Sequence, residues 1–262
     1  MIYIIIVNYN NFLFTNSCVK SICNSSFKNF KIIIVDNNST DDSIQKIQNI
    51  KSKLSESVSL ISLKKNGGYA FGINNGIKFA INNSDCEYLF LLNNDTVIHT
   101  ECLKELIDHY KSNTIVSPVI YDYEKKNKVQ SYGGKLNKYL LTTSNIKIYD
   151  PLNIDYLPGT ALFLEKEIIK ILGFIPEEYF MYYEDVDWST KAWINNLSLV
   201  INKKSIIYHR IKNKLPFHLK LRSNFNRLIY SYKYYKYKLP LIIVLFILSF
   251  FKSILIYPIK NK

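Results

Sequence analysis

What this 262-residue chain has least of is acid near its end: Asp187 is the last carboxylate, and residues 203–262 carry 14 Lys or Arg and no Asp or Glu. Residues 1–202 hold 20 basic and 21 acidic side chains, so nearly all of the net charge of +13 lies in the tail. A near-neutral body with a cationic tail implies that the tail meets something anionic, either a lipid head-group surface or nucleic acid. Cysteine is also sparse. Cys18, Cys23, Cys86 and Cys102 show neither C-x-x-C spacing nor the density of a disulfide scaffold, so they read as reduced residues, which favours the cytosol. No G-x-x-x-x-G-K-[ST] and no G-x-G-x-x-G after the first strand occurs, which removes kinase-type and dinucleotide-type readings. The N-terminus MIYIIIVNYN lacks a positive segment and a small-residue cleavage site, so it reads as a first strand and argues against secretion.

What is present is alternation. Apolar runs at Ile2 to Val7, Phe30 to Val35, Val58 to Leu63 and Tyr88 to Leu92 are separated by helical patterns over about 12–24, a Ser39/Thr40-capped helix to about 50, and 70–82. Strand, helix, strand repeated in this way predicts an α/β fold with a mostly parallel sheet flanked by helices. Every strand ends in a polar cluster: Asn8-Tyr9-Asn10, Asp36-Asn37-Asn38, Lys64 to Gly68, and Asn93-Asn94-Asp95. All four should line one edge, where ligands of open α/β sheets bind. A helix is expected over about 100–111, an irregular strand-like stretch over 115–156, and a strand at Ala161 to Leu164 after Pro158-Gly159-Thr160.

The pattern sets an α/β body apart from a basic, aromatic and apolar tail over 213–262. Leu239 to Phe251 is an uncharged run of 13 residues, extended past Lys252 by Ser253 to Ile259. At ~1.5 Å per residue the clean run falls short of a ~30 Å hydrocarbon core, whereas the whole stretch reaches it, so spanning and lying flat both stay open. Lys233, Lys236 and Lys238 alternate with tyrosines, a composition suited to a membrane interface.

Two acidic clusters carry the chemistry. Asp95, at a strand end, is placed to share Mg²⁺ or Mn²⁺ with phosphate oxygens, although N-N-D alone reads equally as an Asx turn or a helix cap. Asp36 follows the second strand, where an acid accepts from ribose or base, or else caps the next helix. Asn66-Gly67-Gly68 lets backbone approach a ligand, with Lys64 and Lys65 nearby to favour an anion. Glu184, Asp185 and Asp187 precede a helix; crowding and desolvation by Tyr182, Tyr183 and Trp188 would raise a carboxyl there toward the range of a general base. His209 is a possible metal ligand.

Together IIIVNYN, IIIVDNNSTDDS, NGGYAFGINNGI, YLFLLNNDT, PGTALFL and PEEYFMYYEDVDWSTKAW resemble glycosyltransferase family 2, the inverting nucleotide-sugar transferases of GT-A fold, over about residues 1–212. The resemblance implies that Asn8, Tyr9 and Asp36 contact the nucleotide and that Asn66, Gly67, Gly68, Gly159 and Thr160 line the substrate site. It places Asn93-Asn94-Asp95 at the D-x-D position, with Asn93 replacing an acid, and makes Asp95 and His209 ligands of a divalent metal, Mg²⁺ or Mn²⁺. Asp185 falls at the catalytic-base position; Glu184 and Asp187 would position it or the acceptor, and Trp188 or Tyr182 would stack on a sugar. The PEEYFMYYEDVDWS segment is most similar to rhamnosyl- and galactofuranosyl-transferases, which implies a deoxythymidine- or uridine-diphosphate sugar donor and surface-polysaccharide synthesis. The implied acceptor is a saccharide or lipid-linked saccharide at the inner face of the membrane, which residues 213–262 would touch.

Two rivals remain. A nucleic-acid-binding protein would use the tail to stack bases and pair phosphates, but leaves both acidic clusters without a role. A sugar nucleotidyltransferase would need a glycine- and lysine-rich segment after the first strand, which is missing.

Overall fold

The computed structural model describes residues 1–54, 56–210 and 216–256, with the side chains of the last helix described as far as Phe251. The first half runs β1 (Ile2–Asn8), α1 (Phe12–Cys23), β2 (Phe30–Asp36), α2 (Ser43–Lys53), β3 (Val58–Ser62), α3 (Tyr69–Ile81) and β4 (Tyr88–Asn93). It continues through β5 (Thr96–Ile98), α4 (Cys102–Asp108), β6 (Thr114–Asp122), β7 (Val129–Ser131), β8 (Gly134–Leu136) and β9 (Thr143–Asn145). The last elements are β10 (Ala161–Glu165), α5 (Ile168–Leu172), α6 (Glu184–Ile194), β11 (Ser198–His209), α7 (Phe217–Tyr234) and α8 (Leu239–Ile256).

β1 is apolar at nearly every position because both its faces are covered. Ile2, Ile4 and Ile6 pack with Cys18, Val19 and Ile22 of α1 and with Leu103 and Leu106 of α4. Tyr3 and Ile5 share the opposite layer with Ile73 and Ile77 of α3 and Trp188 and Ala192 of α6. The main sheet has the order β3-β2-β1-β4-β10-β6-β11-β5, with β7 added on β6. Its β3-β2-β1-β4 half is wholly parallel, as expected. β10 then runs antiparallel to both β4 and β6, because its chain enters the sheet at the edge where β4 leaves it, with Ala161 opposite Leu92. The sheet is therefore mixed: the first half and the β6–β11 pair match the parallel expectation, while β10, β5 and β7 pair antiparallel.

Local chemistry moved two helix starts. α2 opens at Ser43 after Asp42, with no side-chain cap, since Ser39 and Thr40 turn back toward Asp36 and Asn10 instead. α4 opens at Cys102 rather than Thr100.

The expected division at 212/213 falls outside the described residues, as do residues 257–259 of the long apolar stretch. Beyond it, α7 buries Asn226, Arg227, Tyr230 and Ser231 against the body. α8 packs on α7 through Ile242 and Leu245 beside Tyr230, and Asn224 Nδ2 donates to Ser249 Oγ at 2.9 Å. Among the described residues no helix is long and apolar enough to cross a membrane.

Candidate functional site

Parallel register brings the strand ends together: Asn8 pairs with Asp36, Val7 with Asn93, and Asp36 with Ser62. Asn8 and Asp36 are fully buried. Asn8 Nδ2 donates to Asp36 Oδ1 (2.9 Å) and Ser39 Oγ (3.1 Å), and Asn8 Oδ1 accepts from Thr15 Oγ1 (2.7 Å). Asp36 also accepts from Ser39 N (2.8 Å) and Ser39 Oγ (2.6 Å). The amide of Asn8 is thus fully used by the protein, and the pair forms a polar floor rather than a pair of free ligand groups. Tyr9, 45% exposed, stands at its mouth.

Next to this floor, Asn37 Nδ2 donates to Asn66 Oδ1 and to the Gly68 carbonyl, both at 2.9 Å. Gly68 has φ +90°, and a Cβ there would lie 2.1 Å from the Phe180 carbonyl oxygen. The close approach for which glycine is needed is therefore to the protein's own backbone, not to a ligand as the sequence suggested. A Cβ on Gly67 would meet the Phe71 ring. Lys64 and Lys65 are exposed nearby.

The second group is Asn93-Asn94-Asp95 at the turn from β4 into β5. Asn94 Nδ2 donates to Thr15 Oγ1 at 3.0 Å, tying the turn to α1, and Asn93 N donates to the Thr160 carbonyl at 2.9 Å. Asp95 Oδ1 is buried without a hydrogen-bond donor, and His209 Nε2, at the end of β11, stands 3.2 Å from it. No hydrogen bond joins the two, and 3.2 Å is an ion pair only with a protonated ring. His209 Nδ1 lies 3.0 Å from Gln130 Oε1; with that oxygen accepting, Nε2 keeps its lone pair, the tautomer a metal ligand requires. An orphaned carboxylate oxygen facing an oriented imidazole fits a divalent cation. Among the described residues no three His, Cys, Asp or Glu side chains cluster, so such an ion would take its other ligands from phosphate and water. Arg210 adds a cation here: its main-chain N–H donates to the Asp95 carbonyl at 3.1 Å, its guanidinium lies 3.8 Å over Tyr123, and its Nη1 is buried without an acceptor.

The third group is the first turn of α6. Asp185 Oδ2 accepts from Gly159 N at 3.0 Å and Oδ1 from Val186 N at 2.9 Å. Burial raises the Asp185 pKa, opposed by those amide donors. Glu184 is buried too; burial and the neighbouring Asp185 charge push it up to about 8, and its Oε2 has no partner. The other two expected contacts are corrected. Asp187 is fully buried and used up by Tyr179 Oη (2.7 Å), Lys233 Nζ (2.5 Å) and Tyr234 Oη (2.9 Å), so it anchors α6 to α7 rather than touching a substrate. Trp188 is 1% exposed within the core, its Nε1 donating to the Gly173 carbonyl, so it offers no face to a sugar; Tyr182 stays partly open.

The turn leading into α6 is strained: Phe180, Tyr182 and Tyr183 all have positive φ, at 59°, 73° and 73°. It is held from both sides. Phe180 O accepts from Tyr69 N at 2.8 Å, while Asn226 Nδ2 of α7 donates to the carbonyls of Tyr179, Met181 and Tyr182 at 2.9, 2.7 and 2.8 Å.

Tyr69 joins the acidic groups. Its hydroxyl donates to the Gly159 carbonyl at 2.7 Å, and its pKa is driven well up by burial and then by the charges of Glu184, Asp185 and Asp95. Sequence reasoning passed over Tyr69, Arg210 and Asn226; position alone marked the first two, directly after Gly67-Gly68 and after His209, and nothing local marked Asn226. Lys233, expected at a membrane interface, is instead paired with Glu178 and Asp187.

A family model, Glycosyl transferase family 2, matches residues 3–172. The chain is 24% identical over 235 residues to the low-salt glycan biosynthesis hexosyltransferase Agl10 of Haloferax volcanii, covering 85% of this chain and 73% of that one. It is 25% identical over 193 residues to the dTDP-rhamnosyl transferase RfbF of Shigella flexneri, covering 73% of this chain and 62% of that one. In fold it superposes on GalNAc-T7, solved with UDP, GalNAc and Mn²⁺, with a TM-score of 0.69 at 14% identity, over 82% of this chain and 45% of the other.

Proposed function

Since the chain belongs to glycosyl transferase family 2, has the GT-A fold and is a glycosyltransferase of glycan synthesis, we propose that it is an inverting one. In this reading it moves a sugar from a nucleoside-diphosphate sugar to a hydroxyl of a saccharide or lipid-linked saccharide. The carrying observation is the Gly159-Thr160 pair, which joins the two acidic groups: Gly159 N donates to Asp185 Oδ2 at 3.0 Å and the Thr160 carbonyl accepts from Asn93 N, two residues before Asp95, at 2.9 Å.

The nucleotide would lie over the Asn8–Asp36 floor with Tyr9 at the base or ribose. Asp95 and His209 would hold a divalent ion, which supplies positive charge to the departing diphosphate. Arg210 offers a further cation on the same side. Asp185, with its pKa raised, accepts the proton of the acceptor hydroxyl as that oxygen attacks the anomeric carbon, and its two amide donors hold the carboxylate in line. Glu184, protonated near neutrality, is able to donate its unpaired O–H to a sugar hydroxyl. The likeness to RfbF supports a deoxythymidine-diphosphate sugar as the first donor to try. The cationic tail supports a place at the cytoplasmic face of the membrane.

The test is a release assay over several activated sugars with a membrane-lipid extract. Nucleoside diphosphate release that requires Asp95 and Asp185 supports the reading, whereas pyrophosphate release identifies a nucleotidyltransferase and sinks it.

A further inference from the structure

We infer that α8, the turn before it and the tip of the β8–β9 hairpin form one docking surface for an anionic lipid bilayer, with α8 lying in the plane of the interface. This goes beyond the proposed reaction and stands without it. α8 buries Ile242 on α7 but leaves Leu241, Val244, Leu248 and Phe251 exposed at helical spacing, with Ile243 and Ile247 widening the stripe. An apolar face of this width on a surface helix calls for a cover. Within the described residues α8 has 18 residues, about 27 Å, and is not long and apolar enough to cross a membrane, so the face suits the boundary between head groups and acyl chains.

The choice of lipid as the cover rests on what rims the helix. Lys236, Tyr237 and Lys238 lead directly into α8. The hairpin, distant in sequence, joins them: Lys238 Nζ donates to the Lys138 carbonyl and lies 5.7 Å from the Tyr139 ring. Tyr139 and Tyr237 are 80% and 76% exposed, and Leu140 is exposed beside them. Neither 136–145 nor 216–256 contains a single acid. Cations for phosphates and tyrosines for the head-group zone, gathered around one end of an apolar helix, match an anionic bilayer better than a protein partner. Because Lys233 and Asn226 fix α7 to the turn that carries Asp185, docking would also fix the height of that carboxylate above the membrane.

The experiment is sedimentation of the full chain with phosphatidylcholine vesicles, with and without phosphatidylglycerol. The expected result is binding to the anionic vesicles, lowered roughly fivefold by each Lys→Gln change at 138, 236 or 238. Leu248→Asp should abolish it, and Tyr139→Ala should weaken it severalfold. Lys138→Gln keeps the Lys238 contact, which uses the Lys138 main-chain carbonyl, and so guards against misfolding of the Leu248 variant. The proposal is overturned by no uptake by anionic vesicles, by uptake of single-stranded oligonucleotide instead, or by a dimer in solution, split by Leu248→Asp, with no lipid binding. Parental binding by Tyr139→Ala would remove the hairpin from the surface and overturn the composite site.

Discussion

The two sides of the cleft are built by opposite means. On the strand-edge side, Asn8, Asp36 and Ser39 satisfy one another over short spans between adjacent parallel strands, and the positive φ values there fall on Asn10 and Asn38, a residue type that tolerates them. On the α6 side, three aromatic residues have positive φ, Glu184 is buried beside a half-buried Asp185, and the contacts that hold them come from α3 and α7. Hydrogen bonds between neighbouring strands follow from the sheet itself, whereas strain and buried like charges persist only where distant elements impose them. The floor is cheap to form and the turn costly; in the proposed reaction the first serves recognition and the second positions the base.

The sharpest way to test this contrast is to remove one charge from each half. Asp185→Asn should lower kcat on the order of 10³-fold while leaving thermal stability equal or higher, because a buried charge is lost. Asp95→Ala should lower turnover by on the order of 10² and abolish its dependence on added divalent metal. Both are read from nucleoside-diphosphate release, with melting curves as the control. In the parent, the acid limb of the kcat profile should lie above the ordinary carboxylate range, since Asp185 must be deprotonated to act and its pKa is raised.

Asn226→Ala comes next. Three carbonyls lose their shared donor, about 2–4 kcal/mol, or roughly 10 °C in Tm for a chain of this size. If the two halves are independent, kcat falls while nucleotide affinity by calorimetry holds; equal loss of both would show that the floor also depends on α7.

Glu184→Gln separates the halves by pH. The folded-state pKa of about 8 exceeds the ordinary value of 4.5, so between them the native state holds the extra proton. Its contribution is fully present below about 4.5 and is lost as pH rises through about 8. The substitution should therefore raise Tm by roughly 5 °C near pH 9 and change it little near pH 5, as measured by scanning fluorimetry. The smallest effect belongs to Ser39→Ala, about 1 kcal/mol of stability and a modest loss of nucleotide affinity, with the pH profile of kcat unmoved.

How far each half could be read from the residues follows the same contrast. Alternating apolar runs ending in Asn8, Asp36 and Asn93 announced a parallel sheet and its active edge, because period and strand-end polarity are local properties. The Asp95–His209 meeting was legible only through resemblance, since β11 reaches β5 from far along the chain. The reversal of β10 was hidden because an apolar pentamer reads the same in either direction. Asp187 and Trp188 looked available because spacing cannot tell an exposed acid from one neutralised by Lys233 of a later helix. Asn226 sits in a helix of ordinary pattern, and its three acceptors are fixed by tertiary packing alone.

The reversal of β10 has one more effect. Gly159 gives its amide to Asp185 and its carbonyl to Tyr69, while the very next residue, Thr160, receives the amide of Asn93. Adjacent Cα atoms across a trans peptide are ~3.8 Å apart whatever else moves. One peptide and two hydrogen bonds therefore tie Asp185 to the end of β4. In the proposed reaction that tether joins the base to the donor side of the cleft, so a donor of different size calls for other side chains around it.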